Sequence, residues 1–246
     1  MSALTDRPAA ARPVRVGRAG TGWSEAGAAP HLLAGPAGIE ALRHGLAPPL
    51  AGFLDTGGGG LDGVGPRCLA TVAAGGLVLS LTTASVCALP VVELATIAIR
   101  HRFGLPPGDL IERIEICLAE ALGNAVIHGN LAIPGHLRTS PCGFARFRQV
   151  MAERLRDPML ADRRVEIHAL RAATNSFTLL VSDQGSGFDL GEQSGRVVPI
   201  DARCGRGLDL IRRGCTGLAS EDGGRTVRME FAGPEADRPA REGEQG

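Results

Sequence analysis

The chain contains no lysine: all 26 of its basic residues are arginine. A Walker-type phosphate loop and a eukaryotic-type protein kinase each place a lysine on the phosphates, so both of those routes to nucleotide chemistry are closed. Tyrosine is also absent, and aromatic residues make up only 3% of the chain, which leaves little surface for stacking bases or sugars. Formal charge balances at zero, with 26 acidic residues against the arginines. Nucleic-acid binding needs clustered positive charge, so no nucleic-acid partner is expected. The six cysteines (Cys68, Cys87, Cys117, Cys142, Cys204 and Cys215) form no CxxC pair, and the spacing of a zinc motif is missing. No apolar run reaches the roughly 18 residues of a membrane span. The best stretch, 76–99, is interrupted by Thr82, Thr83, Ser85, Pro90 and Glu93. The stretch MSALTDRPAAARPVRVGRAG has arginines but lacks the apolar segment and cleavage site of a secretion signal. A reduced, cytoplasmic protein is expected, with no membrane partner and with its thiols packed as apolar groups.

What is present is ample apolar material, 44% of 246 residues, enough for one medium domain with extensions or two small domains. Residues 1–64 read as a disordered leader: Ala, Gly and Pro dominate, GGGG fills 57–60, and apolar residues keep no sustained period. A short helix over 39–46 is the one element suggested there. The tail 233–246 is likewise polar and rich in Pro and Gly. Between them, 65–232 is regular. LVLSLTT (77–83) reads as a strand, followed by an apolar helix near 89–103 that Gly104 stops. Asp109 is placed to cap the next helix, which runs to about His128. Its Ile111, Ile114, Leu118, Ala121, Leu122 and Ala125 form a core-facing stripe. A looser segment, 130–163, holds an amphipathic helix near 144–156. Alternation at Val165/Ile167/Ala169, Phe177/Leu179/Val181 and Val227/Met229/Phe231 marks three strands. A short helix over 207–213 and a turn at Asp222-Gly223-Gly224 separate the last two. This order predicts an α+β, two-layer sandwich with helices on one face of a mixed, mostly antiparallel sheet.

Four short segments carry the chemistry: EALGNAVIHG (120–129), DQGSGFD (183–189), GRGL (205–208) and GGRTVRMEF (223–231). In the first, Glu120, Asn124 and His128 recur every four residues and so share a helix face, offset from the apolar stripe. Carboxylate and carboxamide oxygens suit magnesium, and a carboxylate can also take a proton from a hydroxyl. A solvated helix face gives the same pattern, and His128 equally suits a cap on its own helix end. In the second, Asp183 closes the apolar strand FTLLVS, where it could accept a hydrogen bond from an exocyclic amine. Gly185 and Gly187 allow close backbone approach, although an ordinary turn does too. In the third, Gly205 and Gly207 open a helix whose N–H groups and positive terminus suit phosphate, with Arg206 available for a charge-assisted contact.

Taken together and in this order, the segments resemble the GHKL (histidine kinase-like) ATPase superfamily, which also includes DNA gyrase and MutL ATPase domains. The likeness spans about 75–231 and is greatest for the bacterial anti-sigma-factor serine/threonine kinases. EALGNAVIHG looks like the N box, DQGSGF the first glycine box and GRGL the second. The resemblance implies the family's ATP-binding (Bergerat-type) fold, with ATP and Mg2+ as ligands. Glu120 is then the general base and Asn124 the magnesium ligand. Asp183 reads the adenine amine, with Gly185, Gly187 and Phe188 along that wall. Gly205, Arg206, Gly207 and Leu208 form the turn at the phosphates, Thr226 supports the adenine end, and His128 completes the nucleotide set. Implied too is phosphorylation of a small anti-anti-sigma (STAS-like) protein, with a homodimer compatible. Two alternatives stay open: an ATP-bound module that sequesters a sigma factor or regulator, and an ATPase subunit serving a separate histidine phosphoacceptor. No phosphoacceptor box surrounds His31, His44 or His101, which disfavours self-phosphorylation on histidine.

Overall fold

The computed structural model describes residues 15–18, 31–138, 143–173, 176–188 and 207–232. Their strands form one eight-stranded mixed sheet in the order β1-β2-β3-β4-β5-β6-β8-β7. The strands are β1 (Arg15–Arg18), β2 (His31–Gly35), β3 (Leu50–Asp55), β4 (Leu77–Thr82), β5 (Arg164–Ala173), β6 (Ser176–Ser182), β7 (Gly217–Glu221) and β8 (Thr226–Ala232). Strands β1 to β4 run parallel, and every later pairing is antiparallel. The α+β architecture with a mixed sheet expected from sequence is therefore the one observed.

Two helices cover one face: α4 (Val91–Phe103), ended by Gly104 in a left-handed conformation (φ 64°), and α5 (Asp109–Asn124). They bury Leu94, Ile99, Ile114 and Leu118 against Leu79, Ile167, Leu179 and Met229 in one large core. The alternation in β5, β6 and β8 is what turns those residues to the same side. Asp109 is the first residue of α5 rather than its cap; Gly108 holds the cap position with no side-chain bond. Its carboxylate still lies in the first turn, where the helix dipole favours negative charge.

The reading of residues 1–64 as a disordered leader fails at β1 and from His31 onward. Strand β2, helix α1 (Ile39–Leu46) and strand β3 form a parallel unit, with α1 on the residues expected. Helix α2 (Arg67–Ala73) then leads into β4. The physical reason is that β3 is buried along its whole length, and β2 nearly so. Strands buried on both faces show no polar–apolar alternation, so a search for period finds nothing. Leu33 and Phe53 join the large core, whereas Leu32, Ala51, Leu54 and Val78 form a second, smaller core with Cys68 and Val72 of α2. Helix α2 thus seals the sheet face opposite α5. The tail 233–246 lies outside the described residues.

Candidate active site

Helix α5 does not stop at Asn124. Its path continues through a π-helical turn, Ala125–Asn130, closed by the Leu131 N–H on the Val126 carbonyl at 2.9 Å. Widened turns of this kind are concentrated at functional sites because they re-aim side chains out of the regular i, i+4 rows. Glu120 and Asn124 precede the turn and keep their shared face. His128 lies within it: the side chain is exposed and its Nδ1 bonds the Ile133 carbonyl at 2.9 Å, holding the outgoing chain.

Glu120 and Asn124 meet the start of helix α8 (Gly207–Gly214). A Cβ built on Gly207 would stand 2.6 Å from Glu120 Oε2 and 3.6 Å from Asn124 Nδ2. A side chain there would push the Glu120 carboxylate aside, so the first turn of α8 is brought directly onto the carboxylate and carboxamide. Its orphan N–H groups and positive end make that corner suited to phosphate. Leu208 packs partly buried against the main core and fixes the helix there. Gly205 and Arg206 lie outside the described residues.

The other wall forms at the end of β6. Asp183 follows the strand directly, with its N–H on the Arg225 carbonyl at 2.9 Å and its carboxylate accepting from the Gly185 N–H at 2.7 Å. A Cβ on Gly129 would lie 2.5 Å from that carboxylate, so the π turn passes against Asp183. Burial raises the Asp183 carboxyl to about 6, opposed by the Gly185 N–H and by the charges of Arg225 and Arg163. A carboxylate that is desolvated yet incompletely bonded is suited to accept a donor from a ligand. Beyond it, the Phe188 N–H bonds the Gly224 carbonyl at 3.2 Å, and Gly187 (φ 79°) packs on the Gly223 carbonyl, a contact that leaves no room for a Cβ. Thr226, fully buried, shares a 2.9 Å hydrogen bond with Ser182 and donates to Asp222 at 2.7 Å. The turn before β8 is thereby tied to the strand that presents Asp183.

All four sequence segments therefore converge where their residues are described. A family model described as a histidine kinase-like ATPase domain matches residues 83–231. The chain belongs to this family. No curated protein matches the sequence. The ATPase domain's matched residues open at the end of β4, so β1–β3, α1 and α2 lie outside them. Its ATP-binding role follows from membership, and the residues present fit both ligands the family implies. Glu120 and Asn124 offer hard oxygens beside a helix N-terminus, the donor set that magnesium takes along with phosphate. No described helix is long and apolar enough to cross a membrane.

Two residues that the sequence did not single out prove central. Asn130, fully buried, donates to Thr83 Oγ1 and to the Arg164 carbonyl, both at 2.9 Å, and accepts from the Gln184 N–H at 2.7 Å. It ties the π turn to the loop that follows Asp183. Gln184 in turn accepts from the Arg164 N–H at 2.8 Å and donates to the Gly63 carbonyl at 3.0 Å. An Asn directly after the HG of the first segment is the only signal of this, and an α-helical register turns it away from the site.

Proposed function

We propose that the ATPase domain is a regulatory protein serine/threonine kinase of the anti-sigma-factor type, acting on a small STAS-like partner. The observation that supports this most is the approach of Gly207 to Glu120: a carboxylate able to take a proton sits at the first turn of α8, next to Asn124. A domain that merely held nucleotide would need the helix terminus and Asp183, but no base at that corner. In this reading Asp183 orients the adenine through its exocyclic amine, and α8 with Asn124 positions the phosphates. Asn124 would hold magnesium, which when bound would supply charge neutralisation at the phosphates. Glu120 accepts the proton of the partner's hydroxyl as its oxygen bonds to the terminal phosphorus and ADP leaves. Cytoplasmic location belongs to the same proposal, as does a homodimer.

The test uses the full chain, γ-labelled ATP and the protein captured from cell extract in the presence of ATP. Label should appear on a serine or threonine of that protein. Glu120→Ala should cut transfer by about 10²–10⁴-fold, the usual weight of a general base, with ATP affinity changed less than threefold. Transfer that survives the substitution unaltered would sink the base assignment. Label on a histidine would favour the phosphoacceptor-subunit reading instead, and capture without label would favour sequestration.

A further inference from the structure

We propose that Cys68, Glu166 and His168 form a three-ligand zinc site that fastens α2 to β5, on the sheet face opposite the nucleotide corner. No cysteine motif announces it in sequence, because the ligands come from two elements about a hundred residues apart. Cys68 is in the first turn of α2, and Glu166 and His168 are alternate residues of β5, so both point at that helix. All three are buried, Cys68 and His168 completely. One ligand atom from each lies within 4.8 Å of the others. Cys68 Sγ is 3.2 Å from Glu166 Oε1, and His168 Nε2 is 3.4 Å from Glu166 Oε2. Ligands at zinc distances occupy tetrahedral edges of about 3.3–3.8 Å. The thiol and the imidazole approach different oxygens of Glu166, so the carboxylate must turn to close a site around an ion.

His168 supplies the second, independent observation. Its Nε2 is buried 3.4 Å from Glu166 Oε2, an ion-pair distance, with no well-aligned hydrogen bond. Its other ring nitrogen, Nδ1, is 3.1 Å from Thr71 Oγ1. In the tautomer that gives the Nδ1 proton to that hydroxyl, Nε2 presents a bare lone pair, the arrangement typical of metal-ligating imidazoles. In that tautomer the lone pair faces a carboxylate oxygen unless a cation lies between them. Arg164 does not fill the role, because its guanidinium donates to the Asp55, Gly60, Asp62 and Ser80 carbonyls. Thiolate, imidazole and carboxylate together favour zinc over magnesium or calcium. The thiol proton leaves to solvent on binding, and thiolate plus carboxylate cancel the two charges of the ion. The buried cluster is then neutral apart from the arginine. Such a site would join α2, which lies outside the family-matched residues, to β5, which lies within them.

The full-length protein, stripped with a chelator, is titrated first with Co2+ alone and then with Zn2+ alone. One ion per chain should bind, Co2+ should give a thiolate charge-transfer band, and Zn2+ should displace it and raise the melting temperature. Cys68→Ser should abolish the band, and Thr71→Val should weaken Zn2+ binding about tenfold or more. Absence of any band, or a band undiminished in Cys68→Ser, overturns the site. Should Cys68→Ser fail to fold, thiol alkylation of the wild type in sub-denaturing urea decides. Zn2+ must slow modification of Cys68 relative to the stripped chain, and equal modification overturns the site.

Discussion

Asp183 works by being short of partners. It keeps one backbone donor, from Gly185, in a setting whose burial lifts its carboxyl to about 6. In the proposed reading Asp183 bonds the adenine amine, and that bond is strong only when the group is ionised, so ATP binding would draw its proton off. ATP affinity is therefore expected to hold above pH 6 and to fall as pH drops through 6, approaching tenfold per unit below it. Isothermal titration between pH 5 and 8 reads this directly. Asp183→Asn should flatten the profile and weaken ATP about 10- to 100-fold, the value of a charge-assisted hydrogen bond. Its preference for ATP over GTP should vanish with it. Equal affinity of the unaltered chain for the two nucleotides would remove the adenine-reading role. The sequence located Asp183 by its place at a strand end. Its altered proton affinity came from the π turn packed over it, in particular Gly129, which no local pattern reports.

At the scale of elements, the π turn and the loop after β6 are held together by Asn130. Removing its side chain leaves the buried Arg164 carbonyl and the part-buried Gln184 N–H each short of a partner. Each orphaned group costs about 1–3 kcal/mol. Asn130→Ala is expected to lower unfolding free energy by about 2–4 kcal/mol in urea, with the m-value unchanged. It should weaken ATP as well, since the turn that packs on Asp183 loosens. A loss below 0.5 kcal/mol would show that water replaces the amide. The helix itself was legible from its apolar stripe, and Glu120 and Asn124 from their spacing. His128 was legible only as one of two things, and the bond from its ring to the Ile133 carbonyl favours the cap. The change from α to π register after Asn124 separates it from the other two.

Across the whole molecule, the parallel half of the sheet extends the family domain beyond its matched residues. Strand β3 pairs with β4, and α2 covers Val78 and the polar side chains of β5. A chain starting at residue 77 would expose that apolar strip, the edge of β4 and the buried Glu166 and His168 together. It is expected to aggregate or to unfold without a cooperative transition, checked by size-exclusion chromatography and thermal melts. A monomeric, cooperatively melting truncation would show that the extension is an independent attachment. Asp55 adds to the coupling: its carboxylate accepts from Ala37, Gly57, Thr82 and Ser85, so it joins the extension to β4 and the helix after it.

The amino-acid order by itself determined the elements that carry a period: the strands after residue 164 with apolar residues at alternate positions, the striped helix α5, and four motifs whose residue types suit adenine, phosphate and magnesium. Such features are local, and a period of two or of about 3.6 writes them directly into the chain. Tertiary packing alone decided the rest. Strands β2 and β3 are apolar on both sides and carry no period, so they become strands only by lying between two cores. Asn130 and His168 acquire their surroundings from segments far away in sequence, and the proton affinity of Asp183 is set by what covers it. Burial depends on neighbours that one stretch of sequence does not contain.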